Sequence, residues 1–127
     1  MAGRKHLTMA TVRRDGSPRI SGTEVEFADG QMWIGSMVGA VKALDLRRDH
    51  RIAIHGPTSD PPTDNPAGWR GEAKVAGMAL EVDSGTAAHR FSIDIREAVI
   101  THLNAAGNRL VVESWNADRG YRSMERE

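Results

Sequence analysis

The chain of 127 residues has no cysteine, which excludes disulfide bonds, thiol nucleophiles and thiolate metal ligands. It has no excess of either charge, because 17 lysines and arginines balance 17 aspartates and glutamates. General binders of nucleic acid or of anionic membranes carry a basic excess, so neither partner is expected. No apolar run approaches the roughly 18 residues of a membrane-spanning helix. Since the N-terminal residues also lack the apolar centre of a secretion signal, we expect one cytoplasmic domain over residues 1–127.

Proline is scarce outside one stretch, and the rest of the chain alternates in the manner of β-sheet. Four of the five prolines lie in residues 56–68 (GPTSDPPTDNPAG), which have no periodicity and are predicted to form a loop. Elsewhere, short alternating runs are separated by turn signals, two of which contain Asp-Gly. The predicted strands span residues 6–12, 18–27, 31–36, 51–55, 69–82, 91–100 and 110–115. Six or seven short strands at such spacing favour a closed barrel, followed by a polar tail.

One stretch, residues 35–49 (GSMVGAVKALDLRRD), predicts a helix. Val38, Val41 and Leu44 recur at helical spacing, and the two arginines near its end complement the helix dipole. Ser36 is suited to the N-cap position, because its hydroxyl can accept a hydrogen bond from a backbone N–H of the first turn.

The same stretch has a functional and an ordinary interpretation. Helix N-termini bind phosphate because their backbone N–H groups are unpaired and carry about half a positive charge. Gly35 and Gly39 permit close approach of a ligand to the backbone, and Lys42 could reach back toward a bound anion. A surface helix with a serine cap and one lysine would contain the same residues, and on these residues alone it is the more common case.

Two further groups of residues admit two interpretations each. Glu24 and Glu26 share one face of a predicted strand, where carboxylates can perform acid–base chemistry or simply form a solvated face. Trp115 and the arginines after it could bind a flat anionic ligand, by stacking and by hydrogen bonds from the guanidinium groups. Alternatively, Trp115 lies at the end of the barrel and the arginines belong to a solvated tail. The five histidines show no metal-ligand spacing, so no metal site is expected. With no nucleophile elbow or phosphate loop, any chemistry is expected from a bound cofactor, and no catalytic residue is named.

The order of these elements resembles the flavin-binding split-barrel proteins of the pyridoxamine 5′-phosphate oxidase-like superfamily. The resemblance is carried by residues 7–27 (LTMATVRRDGSPRISGTEVEF), 30–54 (GQMWIGSMVGAVKALDLRRDHRIAI) and 111–122 (VVESWNADRGYR). It implies a mainly β fold, a six-stranded antiparallel split barrel of Greek-key type with one or two short helices. It also implies a homodimer that holds its cofactor in clefts between the subunits.

The resemblance implies an FMN-binding oxidoreductase that transfers hydride to or from a small planar substrate. By this comparison the second strand lies along the cofactor, the segment before the helix contacts its phosphate, and the helix lysine offsets the phosphate charge. The closing strand of the other subunit approaches the ring system. The implied cofactor-binding residues are Arg19, Ile20, Ser21, Gly35, Ser36, Lys42, Trp115 and Arg126.

Three departures argue against pyridoxamine phosphate oxidation itself. The oxidases carry a serine and an arginine before the helix lysine, where this chain has Ala40 and Val41. Each charge-assisted hydrogen bond lost there is worth about 1.5–3 kcal/mol. Glu24 stands in place of a substrate-binding lysine, and Met124 in place of a histidine.

Three alternatives remain open. One is a reductase that uses the deazaflavin coenzyme F-420, whose acidic tail could be bound by Arg47, Arg48 and Arg51. A second is a module of the same fold that binds a flavin or another anion without turnover. A third is a structural dimer of this fold whose phosphate site no longer binds a cofactor.

Overall fold

The computed structural model describes residues 4–126, and its eight strands form one antiparallel sheet. The strands are β1 (Arg4–Val12), β2 (Pro18–Ala28), β3 (Gln31–Ser36), β4 (Arg51–His55), β5 (Glu72–Val82), β6 (His89–Leu103), β7 (Leu110–Asn116) and β8 (Gly120–Arg126). Helix α1 (Val41–Arg48) connects β3 to β4. The predicted loop of residues 56–68 is confirmed, with one 3₁₀ turn at Pro66–Gly68.

The sheet closes into a barrel through its first six strands. Its order is β3-β2-β1-β4-β5-β6-β7-β8, and β3 also pairs with the first half of β6, from Met32 opposite Ile93 to Ser36 opposite His89. The second half of β6 leaves the barrel and pairs with β7, which forms a hairpin with β8. The predicted mainly β, six-stranded antiparallel barrel is therefore confirmed.

The barrel interior is filled by the inward-facing residue of every second strand position, as alternation requires. Helix α1 covers one end with Ala43 and Leu46, which are buried with the strand residues. Full burial of such a side chain contributes about 1.5–3 kcal/mol. The core consists of Met9, Val25, Met32, Ile34, Ala43, Leu46, Ile52, Ile54, Ala79, Phe91 and Ile93.

A β-bulge lies where β6 turns from the barrel toward the hairpin. Ala76 is opposite Glu97 whereas Gly77 is opposite Ile95, so Arg96 has no residue opposite it. A Cβ atom at Gly77 would overlap the backbone oxygen of Asp94. Glycine at this position therefore allows the close backbone approach that the bulge requires.

The predicted start and apolar face of the helix are wrong. Ser36 is the last residue of β3, and α1 begins only at Val41, with Ala40 at the N-cap and no side-chain cap. A turn intervenes, in which Gly39 has a φ of +73° and the N–H of Ala40 donates to the oxygen of Met37 over 3.1 Å. Because the turn shifts the helical phase, the predicted face is exposed, with Val38 66% and Leu44 44% accessible.

The tail was predicted without a strand, but residues 120–126 form β8. Strand β8 pairs with β7 from Asn116 opposite Gly120 to Leu110 opposite Arg126. Most of its residues are exposed on both faces, so the sequence shows no apolar alternation there.

Candidate functional site

A cavity of about 650 Å³ opens where β2 and β3 meet the start of α1. Its volume is in the range of small-molecule sites, roughly 300–1,000 Å³. Its walls come from β1, β2, β3, the turn before α1, α1 itself and the start of β6. The residues of interest along it are Gly22, Glu24, Glu26, Trp33, Gly35, Ser36, Lys42, His89 and Arg90.

Three of the residues predicted to bind a cofactor phosphate meet in this cavity. Gly35 presents open backbone, because a Cβ atom there would meet only the oxygen of His89, at 3.8 Å. The Oγ of Ser36 is buried and has no hydrogen-bond partner among the described residues. Lys42 reaches across the cavity and donates from Nζ to the backbone oxygen of Gly22 over 2.7 Å. Gly35, Ser36 and Lys42 therefore line the same cavity, and Ser36 brings to it a buried hydroxyl without a partner.

The turn before α1 is held in place by a buried histidine. The backbone N–H of Gly39 donates to Nε2 of His89 over 3.2 Å, so the ring proton is assigned to Nδ1, which donates to Glu81 over 3.1 Å. Glu81 also accepts two hydrogen bonds from Arg47, at 2.6 and 3.0 Å. The guanidinium of Arg47, together with His89, lowers the pKa of Glu81 to about 2. This chain of contacts fixes one wall of the cavity.

A second wall carries an aromatic ring covered by a guanidinium. The Cζ of Arg90 lies 4.0 Å from the ring centroid of Trp33, a cation–π arrangement. The indole N–H of Trp33 donates to the backbone oxygen of Ala28 over 3.3 Å. Trp33 is therefore oriented by its own strand, with Arg90 against its face.

Carboxylates occupy the cavity wall formed by the outer face of β2. Glu24 and Glu26 share that face as predicted, and both line the cavity. Nε2 of His6 lies 3.8 Å from a carboxylate oxygen of Glu24. The cavity thus contains both cations and carboxylates.

Arg19 is engaged by a buried carboxylate and does not line this cavity. Its Nε lies 2.7 Å from Asp45, whose carboxylate is 2% accessible and also accepts from Thr11 at 2.8 Å and Arg48 at 3.1 Å. Burial alone raises the pKa of Asp45, but the hydrogen bonds from Arg19, Thr11 and Arg48 outweigh it and lower the pKa. This network ties β1, β2 and α1 together.

The structure places Ile20 and Ser21 on opposite faces of β2. Ile20 points outward, is 74% accessible and lines a second depression of about 320 Å³ with Ala10 and Ala53. Ser21 shares its face with buried Thr23 and lies opposite Met9. Neither residue lines the cavity beside α1.

Trp115 and Arg126 lie on the hairpin, outside the cavity of their own chain. Trp115 is 39% accessible and pairs with Tyr121, while Arg126 is opposite Leu110. On the same face as Trp115, Glu113 accepts from the hydroxyl of Tyr121 at 2.7 Å and lies 2.6 Å from Nε2 of His102.

The arginines considered for an acidic coenzyme tail already have carboxylate partners. Arg47 pairs with Glu81 at 2.6 Å and Arg48 with Asp45 at 3.1 Å. Arg51 pairs with Asp49 at 2.6 Å, and this guanidinium lowers the pKa of Asp49 to about 2. Binding an acidic tail would have to displace these pairs.

Two other features are absent from residues 4–126, namely a metal site and a membrane-spanning helix. No group of three His, Asp or Glu side chains there could hold a metal ion. No helix in that part of the chain is long and apolar enough to cross a membrane.

The closed barrel, the helix after its third strand and the hairpin on its sixth define a split-barrel protein. The fold is that of the flavin-binding split-barrel proteins of the pyridoxamine 5′-phosphate oxidase-like superfamily, as expected from the sequence. Neither a family model nor a curated protein sequence matches the chain.

Three solved structures illustrate the likeness. A pyridoxamine 5′-phosphate oxidase-related, FMN-binding protein of Nostoc punctiforme has a TM-score of 0.70 and 11% identity, over 96% of this chain and 86% of that one. PhzG of Burkholderia lata, solved with tetrahydrophenazine-1-carboxylic acid, has a TM-score of 0.73 and 8% identity, over 95% and 81%. A heme-binding protein of Mycobacterium smegmatis has a TM-score of 0.60 and 12% identity, over 95% and 82%. At such identities the likeness shows the fold alone.

Several residues of the cavity were not singled out from the sequence. The pairing of β3 with β6 places His89 and Arg90 at the cavity. The same pairing brings the guanidinium of Arg90 onto the ring of Trp33. Because these contacts join parts of the chain that are distant in sequence, no local sequence pattern predicts them. Asp45 did give a signal in the sequence, because it lies between two leucines of the predicted helix. A charged residue is rarely buried unless it is paired, so a buried aspartate at this position would indicate a partner.

Proposed function

We propose that this chain binds FMN in the cavity beside α1 and uses it as an oxidoreductase, with hydride transferred to or from a small planar substrate. The observation that carries the proposal is that Gly35, Ser36 and Lys42 line one cavity, and that the buried Oγ of Ser36 has no hydrogen-bond partner among the described residues. A buried hydroxyl without a partner is uncommon in proteins, and a phosphate oxygen would satisfy it. When bound, the flavin supplies the hydride chemistry.

The residues of the chain then bind and orient the cofactor. Lys42 offsets the phosphate charge, Ser36 donates a hydrogen bond, and Gly35 lets the phosphate approach the backbone. Since Ala40 and Val41 contribute no hydroxyl or guanidinium, the helix start offers fewer charge-assisted hydrogen bonds, each worth about 1.5–3 kcal/mol. We therefore expect weaker binding than a site with those groups would give.

The proposal includes a homodimer, in which the β7–β8 hairpin of a second copy covers the flavin ring with Trp115 and Arg126. Support comes from the hairpin itself, which extends past the barrel with large apolar side chains exposed. Trp115 is 39% accessible, Tyr121 65% and Met124 50%. Exposed apolar groups on a projecting hairpin suit burial against another protein surface.

The deazaflavin alternative has less support. Its acidic tail would need free cations, whereas Arg47, Arg48 and Arg51 all have carboxylate partners. A module that binds flavin without turnover needs the same cavity, so only a turnover assay separates it from an oxidoreductase.

The first experiment is the absorbance spectrum of the purified protein, followed by titration with FMN, riboflavin, coenzyme F-420 and heme. We expect FMN to bind more tightly than riboflavin, because only FMN carries the phosphate. If no flavin binds, the proposal fails. Preferential binding of F-420 or heme would replace FMN with that ligand.

Lys42→Ala tests the phosphate site. It should weaken FMN binding about tenfold or more and leave riboflavin binding unchanged, because one charge-assisted interaction is lost. Lys74→Ala is the matched control, since Lys74 lies exposed on β5 and does not line this cavity. Equal losses for FMN and riboflavin would remove Lys42 from the phosphate site.

A further inference from the structure

Arg90 lies directly across from the open backbone of the candidate phosphate site. In the pairing of β3 with β6, Arg90 is opposite Gly35 and Ser92 is opposite Trp33. Residues opposite each other in an antiparallel pair project from the same face of the sheet. Since Gly35 has no side chain, nothing on β3 fills the space between Arg90 and the backbone at that point.

The guanidinium of Arg90 has no anionic partner in the described part of the chain. Five other arginines each pair with a carboxylate within 3.1 Å, namely Arg19, Arg47, Arg48, Arg51 and Arg96. The side chain of Arg90 instead rests on the face of Trp33. This contact uses the charge but none of the five N–H donors, so it leaves the hydrogen-bonding capacity of the guanidinium available.

The site needs a second cation if it binds a phosphate. Lys42 already donates to Gly22, and Glu24 and Glu26 bring negative charge to the same cavity. A guanidinium binds phosphate oxygens through two parallel hydrogen bonds, which an ammonium cannot do.

We propose that Arg90 is the second phosphate-binding cation of this site, resting on Trp33 in the free protein and moving to the phosphate when the ligand binds. The inference rests on the proposed function, because the phosphate belongs to the proposed cofactor. Trp33 and Gly35 are two residues apart on one strand, about 7 Å at 3.3 Å per residue. A change of side-chain rotamer spans that distance without any backbone movement.

Val41, at the start of α1, contributes no guanidinium to the phosphate site. In this proposal Arg90 on β6 supplies that group instead. The cation reaches the phosphate through the pairing of β3 with β6 instead of through a position on the helix. The anion is then held between Lys42 of the helix and Arg90 of the barrel strand.

Binding of FMN and riboflavin to Arg90→Gln, Arg90→Lys and Arg96→Gln tests this role. Arg90→Gln should weaken FMN binding about tenfold or more without changing riboflavin binding, since only FMN carries the phosphate. Arg90→Lys should recover part of the loss. Arg96→Gln is the control, because Arg96 is on the same strand but pairs with Asp94 and does not line the cavity. Full retention of the preference for FMN in Arg90→Gln would overturn the inference and leave flavin binding intact.

A second readout needs no flavin. The fluorescence of Trp33, taken as the difference between wild type and Trp33→Phe, should change when inorganic phosphate is added, because Arg90 leaves the indole face. The change should be absent in Arg90→Gln and present in Arg96→Gln. A phosphate response without flavin binding would support Arg90 and refute the proposed cofactor. No response of Trp33 to saturating phosphate would overturn the movement of Arg90.

Discussion

Asp45→Asn is expected to destabilise the protein by about 3 kcal/mol, the lower end of the range for breaking a buried ion pair. The carboxylate of Asp45 is 2% accessible and accepts hydrogen bonds from Thr11, Arg19 and Arg48. Asparagine retains one acceptor but loses the charge that two guanidinium groups face. The lower end applies because the side chains of Arg19 and Arg48 are 25% and 33% accessible and can turn to water.

Urea unfolding at pH 7, followed by circular dichroism, measures this loss. Asp49→Asn is the matched control, because Asp49 pairs with Arg51, whose side chain is 69% accessible. An exposed pair of that kind is worth about 0–1 kcal/mol. If Asp45→Asn cost no more than Asp49→Asn, the buried network would not stabilise the fold and the reasoning would be refuted.

The pH dependence gives an independent check on Asp45. Folding lowers its pKa below the usual 3.8, so its contribution is complete above that pH and is lost as pH falls through the folded value. The stabilities of wild type and Asp45→Asn should therefore converge in acid. A constant difference down to the lowest pH would mean that folding does not shift the pKa of Asp45, which would contradict this account.

Two further predictions concern β5, and the second has a control on β2. Glu81 has its pKa lowered from 4.5 to about 2, chiefly by Arg47, so its contribution should fade as pH drops through that window. Melting temperatures of wild type and Glu81→Gln should converge there; parallel curves would contradict this. Gly77→Ala should destabilise by about 1–3 kcal/mol, because its Cβ would overlap the oxygen of Asp94. Gly22→Ala, with nothing within 4 Å of the added Cβ, should stay within about 0.5 kcal/mol in the same urea assay; similar losses for both would refute the steric argument.

Local patterns in the sequence predicted the barrel strands well. Residues 31–36 and 51–55 form strands at the predicted bounds, because the alternation of buried and exposed side chains is a property of each strand alone. Strand β8 escaped prediction because both of its faces are exposed. The start of α1 was placed too early because Gly39 introduces a turn that the spacing of valines and leucines does not reveal.

The candidate site could be predicted only where its residues are close in the chain. Gly35, Ser36 and Lys42 line one cavity, as their spacing before and within a helix suggested; their binding of phosphate stays a prediction. Arg19 was expected along the cofactor, but its ion pair with Asp45 joins residues 26 positions apart and depends on how the helix packs. Arg90 and Trp33 meet through strand pairing across the barrel, which composition and periodicity do not encode.

The pairing of β3 with β6 sets the order in which this chain can complete its fold. Until residues 89–93 are synthesised, β3 has an unpaired edge of backbone N–H and C=O groups. The pairing of β3 with β6 joins segments that are distant in the sequence, and the loop-closure entropy lost in forming it is large. We therefore expect this pairing to be the slow step of folding. During that interval the β6 strand of a second chain can occupy the same edge, so we expect strand exchange between two copies to be a misfolding route of this barrel.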